Sequence, residues 1–264
     1  MRVSQIMSSP ALVLDKDLSL ADAIDMIKRN EVSRLVVLEN GRIVGVMTEK
    51  DIVRDLGSAH AYRLPLGKMH VSGVMTPNPI TVAPDVMAKR AAELMLDHDI
   101  SGLPVVEGDK LLGIITKLDF AKVCMNYDDV YVGQVMQASP TTVSPGERVI
   151  HVRKLLLEED LLATPVMEGR ELVGIVSMRD VLMKLVAFQE VVPDQYKSER
   201  IRNLLVEDIM TQPATIIRTD EMLPRAANLM LEKRFSSLPV VNLEGELVGL
   251  LTKTELTEVA RERL

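Results

Sequence analysis

The sequence carries one cysteine, Cys124, no tryptophan, three phenylalanines and four tyrosines in 264 residues. A single thiol excludes an internal disulfide framework and suits a reducing compartment, so a cytoplasmic protein is expected. So few aromatic rings leave no stacking platform for single-stranded nucleic acid. Positive charge is not in excess either: a formal net charge of −7 gives no electrostatic reason to approach a nucleic-acid backbone or an anionic membrane. Apolar runs are strand-sized, well short of a membrane span, and the opening residues M-R-V-S-Q-I-M contain no apolar signal core. His60, His70, His98 and His151 show no paired metal-ligand spacing, and one cysteine completes no zinc pattern. Glycines sit in turns and not in a G-x-G-x-x-G cluster after a strand. Cys124 lies at an apolar-face position with no local His-Asp arrangement, and reads as a buried, inert thiol. No general base, nucleophile or metal set converges, so the chain is not expected to be an enzyme.

What the sequence does have is repetition. One heptad recurs four times: G-V-M-T-E-K-D from Gly45 to Asp51, G-I-I-T-K-L-D from Gly113 to Asp119, G-I-V-S-M-R-D from Gly174 to Asp180, and G-L-L-T-K-T-E from Gly249 to Glu255. Each copy also opens on an apolar residue and a methionine followed by proline: Ile6-Met7 before Pro10, Val74-Met75 with its proline further on, Val135-Met136 before Pro140 and Ile209-Met210 before Pro213. An echo at a roughly constant period decides architecture before any local reading. The repeats are placed at 1–60, 71–126, 132–187 and 205–262, so that they account for nearly the whole chain and leave no segment to host an effector. With 47% apolar residues the chain can bury a large core, and most of its sixteen methionines fall at apolar-periodic positions as flexible core filler.

The second repeat serves as the template. Ile80-Thr81-Val82 is a short β-branched run, ended by Pro84 and Asp85, which are expected to start a helix. Val86, Ala91, Leu94, Met95 and Ile100 recur at helical spacing. Ser101-Gly102 breaks the helix, Leu103 to Val106 forms a strand, and Glu107-Gly108-Asp109 turns it into Leu111 to Ile115. A second helix begins at Thr116. The unit is strand, helix, strand, strand, helix, and the class is α/β (α+β). One such unit has too few strands to bury its own sheet, so repeats must pack in pairs. Pairing of one with two and three with four, as modules 1–126 and 130–264, is the simplest closed solution. The Gly57–His70 link carries Gly57, Pro65 and Gly67, and the long polar link from Ala187 to Leu204 is expected to be partly helical.

In this order and four times over, the Met-to-Pro opening, the L-P-V-V strand and the G-h-h-T-x-x-D exit (h, apolar) resemble CBS domains, the small regulatory repeats first described in cystathionine β-synthase. A four-repeat chain of this kind is similar to stand-alone archaeal four-repeat proteins and to the γ subunit of the AMP-activated protein kinase. The resemblance implies consecutive repeats paired about a pseudo-two-fold axis, two such modules forming a disc within one chain or between chains, and clefts for an adenosine-containing ligand. AMP, ADP, ATP and S-adenosylmethionine are all admitted, with Mg entering only as the companion of ATP phosphates. The implied role is energy sensing or a related regulatory output to an effector protein, with a homodimer slightly favoured over a monomer.

The exit motif has two readings. A Ser or Thr with an acid three residues on is a capping box, and Thr48, Thr116, Ser177 and Thr252 with Asp51, Asp119, Asp180 and Glu255 fit that pattern. On that reading the clefts are vestigial and the chain is a ligand-free interaction scaffold. Yet three copies use Asp where a capping box prefers Glu or Gln, and a helix start with a hydroxyl and N–H groups is an anion site. By the resemblance, the hydroxyl residues contact phosphate and the acids the ribose diol, with Glu255 one methylene too long and its site weakest. Lys50, Lys117 and Arg179, with Lys253, are candidate phosphate neutralisers. Arg34 stands where Gly102, Ala163 and Ser237 stand in the other copies. Phosphate-rich ligands are therefore expected at repeats one and two, and adenosine at the small residues of repeat three. The adenine edge is expected at backbone groups near Val13, Val82, Val143 and Ile216.

Overall fold

The computed structural model describes residues 1–56, 65–192, 195–196 and 200–264. Gly57, His60 and part of the Ala187–Leu204 link lie outside the described residues. Repeat one contains β1 (Val13–Asp15), α1 (Leu20–Asn30), β2 (Arg34–Glu39), β3 (Arg42–Thr48) and α2 (Glu49–Leu56). Repeat two contains β4 (Thr76–Pro77), α3 (Ala88–Asp97), β5 (Gly102–Glu107), β6 (Lys110–Thr116), a 3-10 turn Lys117–Phe120 and α4 (Ala121–Cys124). Repeat three contains α5 (Val132–Val135), β7 (Gln137–Ala138), α6 (Val149–Glu158), β8 (Ala163–Glu168), β9 (Glu171–Ser177) and α7 (Met178–Val191). Repeat four contains β10 (Ile217–Arg218), α8 (Leu223–Lys233), β11 (Ser237–Val241), β12 (Leu247–Thr252) and α9 (Lys253–Arg263).

The first helices start where the apolar stripe starts, not at the Pro-Asp pair. α3 begins at Ala88 after Met87, so Pro84 and Asp85 form the turn before it. Its buried face is Ala88, Ala91, Ala92 and Met95, spaced as one side of a helix. The first strands differ among repeats, and they are shorter wherever the second strand carries a proline, although repeat four with Pro239 still keeps the two-residue β10. In repeat one Val36 donates its N–H to the carbonyl of Leu12, and β1 runs three residues parallel to β2. The corresponding residue in repeats two and three is Pro104 or Pro165, which has no N–H. There the first strand shrinks to single bridges, Val82 to Val105 and Val143 to Val166.

The chain folds as two compact units, one of Met1–Ala11, Pro79–Pro140 and Thr215–Leu264, the other of Leu12–Asn78 and Thr141–Ala214. Each takes alternate repeats. In the first, α9 packs on α3 and on the Lys117–Phe120 turn while α4 packs on α8; in the second, α2 packs on α7. Each unit has its own core. Phe120, Met95, Leu103, Ile115 and Leu256 are fully buried in the first, and Ile27, Leu35, Ile52, Leu156 and Leu182 in the second.

The unit boundaries fall inside repeats because the lead-in of each repeat lies on the sheet of another. Ser8 exchanges two backbone hydrogen bonds with Ile114 of β6, both 2.9 Å, and β4 of the second repeat pairs antiparallel with β3 of the first. Likewise β7 pairs with β12, and Thr211 bridges Ile175 of β9. This exchange explains the glycine that heads every exit heptad. A Cβ on Gly113 would stand 2.5 Å from the Ser8 carbonyl oxygen; on Gly45, 3.0 Å from that of Thr76; on Gly174, 2.9 Å from that of Thr211; on Gly249, 2.9 Å from that of Gln137. Only glycine admits the crossing strand.

Candidate functional site

Each exit hydroxyl ends a strand, and the acid lies one turn into the segment that follows. The strand before it sets a fixed neighbour: Arg34, Gly102, Ala163 and Ser237 stand directly opposite Thr48, Thr116, Ser177 and Thr252 in the antiparallel ladders. Hydroxyl, acid and pre-strand residue are therefore brought together in all four copies.

The capping box forms in every one of them. Thr48 N–H and Oγ1–H both donate to Asp51 Oδ2, at 2.9 and 2.6 Å. Thr116 does the same to Asp119 Oδ2 at 2.8 and 2.8 Å, and Ser177 to Asp180 Oδ2 at 2.7 and 2.6 Å. Thr252 caps through Glu255 Oε2, with the backbone bond at 2.8 Å, so the extra methylene leaves the box intact. One carboxylate oxygen per repeat is thus fully used by the fold. The other is not part of the box, and it separates the sites. Asp51 Oδ1 faces Arg54 Nη1 at 3.4 Å. Asp119 Oδ1 accepts from Lys122 Nζ at 2.7 Å and from Ser8 Oγ at 3.3 Å. Among the described residues Asp180 Oδ1 and Glu255 Oε1 take no hydrogen bond. Burial, unrelieved by a cation one turn on, pushes both of these acids above the usual carboxylate range.

Most of the cations expected at phosphate are engaged elsewhere within their unit. Arg179 donates to Glu49 Oε1 and to the Val32 carbonyl, both at 2.7 Å, and Lys50 pairs with Asp160. Lys117 is buried, with Nζ 3.3 Å from Thr254 Oγ1, and Lys253 is buried on the equivalent turn. Arg179 and Lys117 thereby reach residues of a neighbouring exit helix, Glu49 and Thr254. Arg34 is buried beside Thr48. The cations at the acids are Arg54 and Lys122, and sequence reading missed them; their signal was the helical i, i+3 spacing from the acid. The matching residues in repeats three and four are Met183 and Glu258.

The adenine-edge residues fall on two faces. Val82 and Val143 are core residues whose N–H and C=O are both taken by the sheet: Val82 by Pro104 and Val106, Val143 by Pro165 and Met167. Their register equivalents in repeats one and four are Leu14 and Ile217, which are buried too. Val13 and Ile216 stand one residue earlier and are exposed; their counterparts are Thr81 and Thr142, also exposed. A one-residue slip turns a strand residue to the other face, so Val13, Thr81, Thr142 and Ile216 form the equivalent accessible set.

Beside Asp51 lies an open pocket of about 220 Å³ lined by Asp51, Arg54, Asp55, Gly73 and Val74. Asp55 stands where repeats two and four place the buried valines Val123 and Val259. Its Oδ2 is buried without a hydrogen-bond partner, and desolvation raises its pKa. A carboxyl raised on folding is most favourable below its unfolded pKa, and that advantage is lost as pH rises through the folded value. Asp55→Val is therefore expected to stabilise the protein by about 1 kcal/mol at pH 7, and by less at pH 4. Thermal unfolding at both pH values checks this; a variant no more stable at pH 7 than at pH 4, relative to the parent, contradicts it.

Cys124 is buried, donates to the Leu256 carbonyl at 3.3 Å, and is pushed by burial up to about 12. Among the described residues no three His, Cys, Asp or Glu side chains are placed to hold a metal, and no helix is long and apolar enough to cross a membrane.

Four strand-helix-strand-strand-helix units with exchanged lead-ins and a capped polar corner at each exit define a class of tandem-repeat α/β folds. The chain belongs to the CBS domain family, whose profile matches residues 3–58, 71–126, 132–187 and 206–262. Protein MJ1225 of Methanocaldococcus jannaschii is 24% identical over 256 residues, covering 90% of this chain and 91% of that protein. Its crystal structure superposes with a TM-score of 0.87 at 21% identity over 98% of this chain and 99% of that one, a likeness of fold. An uncharacterised conserved protein from Pyrococcus horikoshii gives a TM-score of 0.65 at 25% identity, covering 98% of this chain and 100% of that one. The Arabidopsis thaliana CBS domain-containing protein CBSCBSPB1 is 26% identical over 98% of this chain, which spans 53% of that protein's length.

Proposed function

We propose that the protein is a regulatory sensor that binds an adenosine-containing ligand at the exit corners of its repeats, with repeats one and two, and three and four, acting as pairs through their exchanged lead-ins. The observation that carries this reading is the division of labour within each carboxylate. One oxygen completes the capping box, and the second stays outside it at the start of the exit segment, at Asp180 with no other donor among the described residues. A structural cap needs only the first oxygen; a carboxylate with acceptor sites to spare beside a helix N-terminus suits a ribose diol followed by phosphate. The exposed first-strand positions Val13 and Ile216 offer apolar contact to a base, and Thr81 and Thr142 a polar one.

The ligand class spans AMP, ADP, ATP and S-adenosylmethionine. The output is a change in affinity for an effector protein or for a second copy of the chain, and no catalytic step is assigned. Isothermal titration of the purified chain against the four ligands is the direct test. Saturable binding of at least one, with sub-stoichiometric to four-site occupancy, supports the sensor. Absence of heat and of any thermal shift with all four favours the scaffold reading, in which the exit motifs only cap helices.

A further inference from the structure

The four exit acids differ in how much acceptor capacity the fold leaves them. An ionised carboxylate has about four acceptor positions, two on each oxygen. The capping box takes both on Oδ2 in Asp51, Asp119 and Asp180. On Oδ1, Asp180 accepts nothing among the described residues and Asp51 accepts one long bond from Arg54. Asp119 alone accepts two, from Lys122 and Ser8, and is thereby filled. Both donors bear on the same piece of chain. Ser8 belongs to the lead-in that crosses β6, and Lys122 Nζ also donates to the Ile6 carbonyl at 2.7 Å. Ser9 Oγ adds a bond to the Leu112 carbonyl at 2.7 Å. The positions matching Ser8 are Thr76, Gln137 and Thr211, and none of them donates to its exit acid.

We propose that Ser8 and Lys122 are occupancy-determining residues of the repeat-two corner: the Ser8 hydroxyl occupies the place of a ribose hydroxyl on Asp119, so a diol enters only by displacing it. This rests on the nucleoside reading above. Repeat two is then the last of the three aspartate corners to fill. Its filling removes one tie of the Val3–Ser9 lead-in, which makes that segment the reporter of full occupancy.

The test uses the full chain with adenosine, an uncharged diol, and 2′,3′-dideoxyadenosine as the probe without one. Ser8→Ala frees one acceptor position, and Ser8→Ala with Lys122→Met frees two. Both side chains are at least partly exposed, so the fold should tolerate the changes. One class of adenosine site is expected to tighten roughly threefold to tenfold in Ser8→Ala, further in the double variant, with dideoxyadenosine unchanged. Adding Asp119→Ala should abolish the gain. In the parent protein, saturating adenosine should speed amide exchange at Ser8, whose N–H is bound to Ile114. If the parent binds adenosine but Ser8→Ala and the double variant bind it no differently, the displacement idea is wrong while the nucleoside reading stands. Binding gained only in the variants supports the plug. If parent and variants alike take up no adenosine, the displacement idea falls, and the nucleoside reading is decided separately by titration of AMP, ADP, ATP and S-adenosylmethionine.

Discussion

Replacing Gly113 by valine is expected to destabilise the protein by about 3 kcal/mol, at the upper end of what overpacking costs. The obstacle is not a flexible side chain that can turn away. A Cβ there meets the Ser8 carbonyl oxygen at 2.5 Å, and that oxygen accepts the Ile114 N–H at 2.9 Å. Relief requires the lead-in to lift off β6, which breaks both backbone bonds of Ser8 and withdraws Val3 and Ile6 from the first core. Gly146 gives the control, since a Cβ there has nothing within 4 Å and no positive φ; Gly146→Ala should be near neutral. Urea unfolding gives the free energies, and limited proteolysis within residues 1–11 shows whether the segment has lifted. A Gly113→Val protein as stable as the parent would mean that the crossing strand is not held where the structure puts it.

That glycine shows what the sequence carries and what it conceals. The heptad was legible as a repeat signature, and the strand-helix-strand-strand-helix order followed from periodicity and turn residues. The reason for the glycine was hidden, because the strand that presses on it comes from a lead-in about a hundred residues away in the case of Gly113, and nothing local announces a long-range crossing. The first strands show a similar limit. Reading Val13, Val82, Val143 and Ile216 as equivalents mixed two faces, because a period-2 pattern over two or three residues cannot fix register. The bridge Val82 to Val105 and the pair Ile217 to Val240 settle it.

At the corner itself, the cap and the proposed site are chemically compatible. The T-x-x-D spacing fits both, and the structure assigns one carboxylate oxygen to the cap. The cations went astray for a directional reason. Lys50, Lys117 and Arg179 are adjacent to the motif in sequence, yet on a helix the neighbour of an acid lies three or four residues away. Arg54 and Lys122 meet that condition; repeats three and four carry Met183 and Glu258 there, and burial raises Asp180 and Glu255.

Asp180→Ala is expected to weaken binding of adenosine-type ligands at repeat three by about tenfold to a hundredfold. That corresponds to about 1.5–3 kcal/mol for hydrogen bonds to a charged group. Repeat three should show the largest loss of the four, because Asp180 Oδ1 has no competing donor among the described residues and Ala163 opposite Ser177 leaves the least side-chain bulk among the non-glycine corners. The same substitution removes one half of a capping box and should cost only about 1 kcal/mol of stability, so loss of binding is separable from unfolding. A pH series distinguishes a ribose contact from mere packing. Burial holds the Asp180 carboxyl above its ordinary range; only the ionised form offers all its oxygens as acceptors to a diol. Affinity at this site should therefore rise with pH through the raised value and level off above it, while Asp180→Asn should bind weakly at every pH. Titration of adenosine at several pH values, in parent and variants, reads this directly. A parent protein that binds with equal strength across the carboxylate range, and an Asp180→Ala variant that matches it, would show that Asp180 only caps α7.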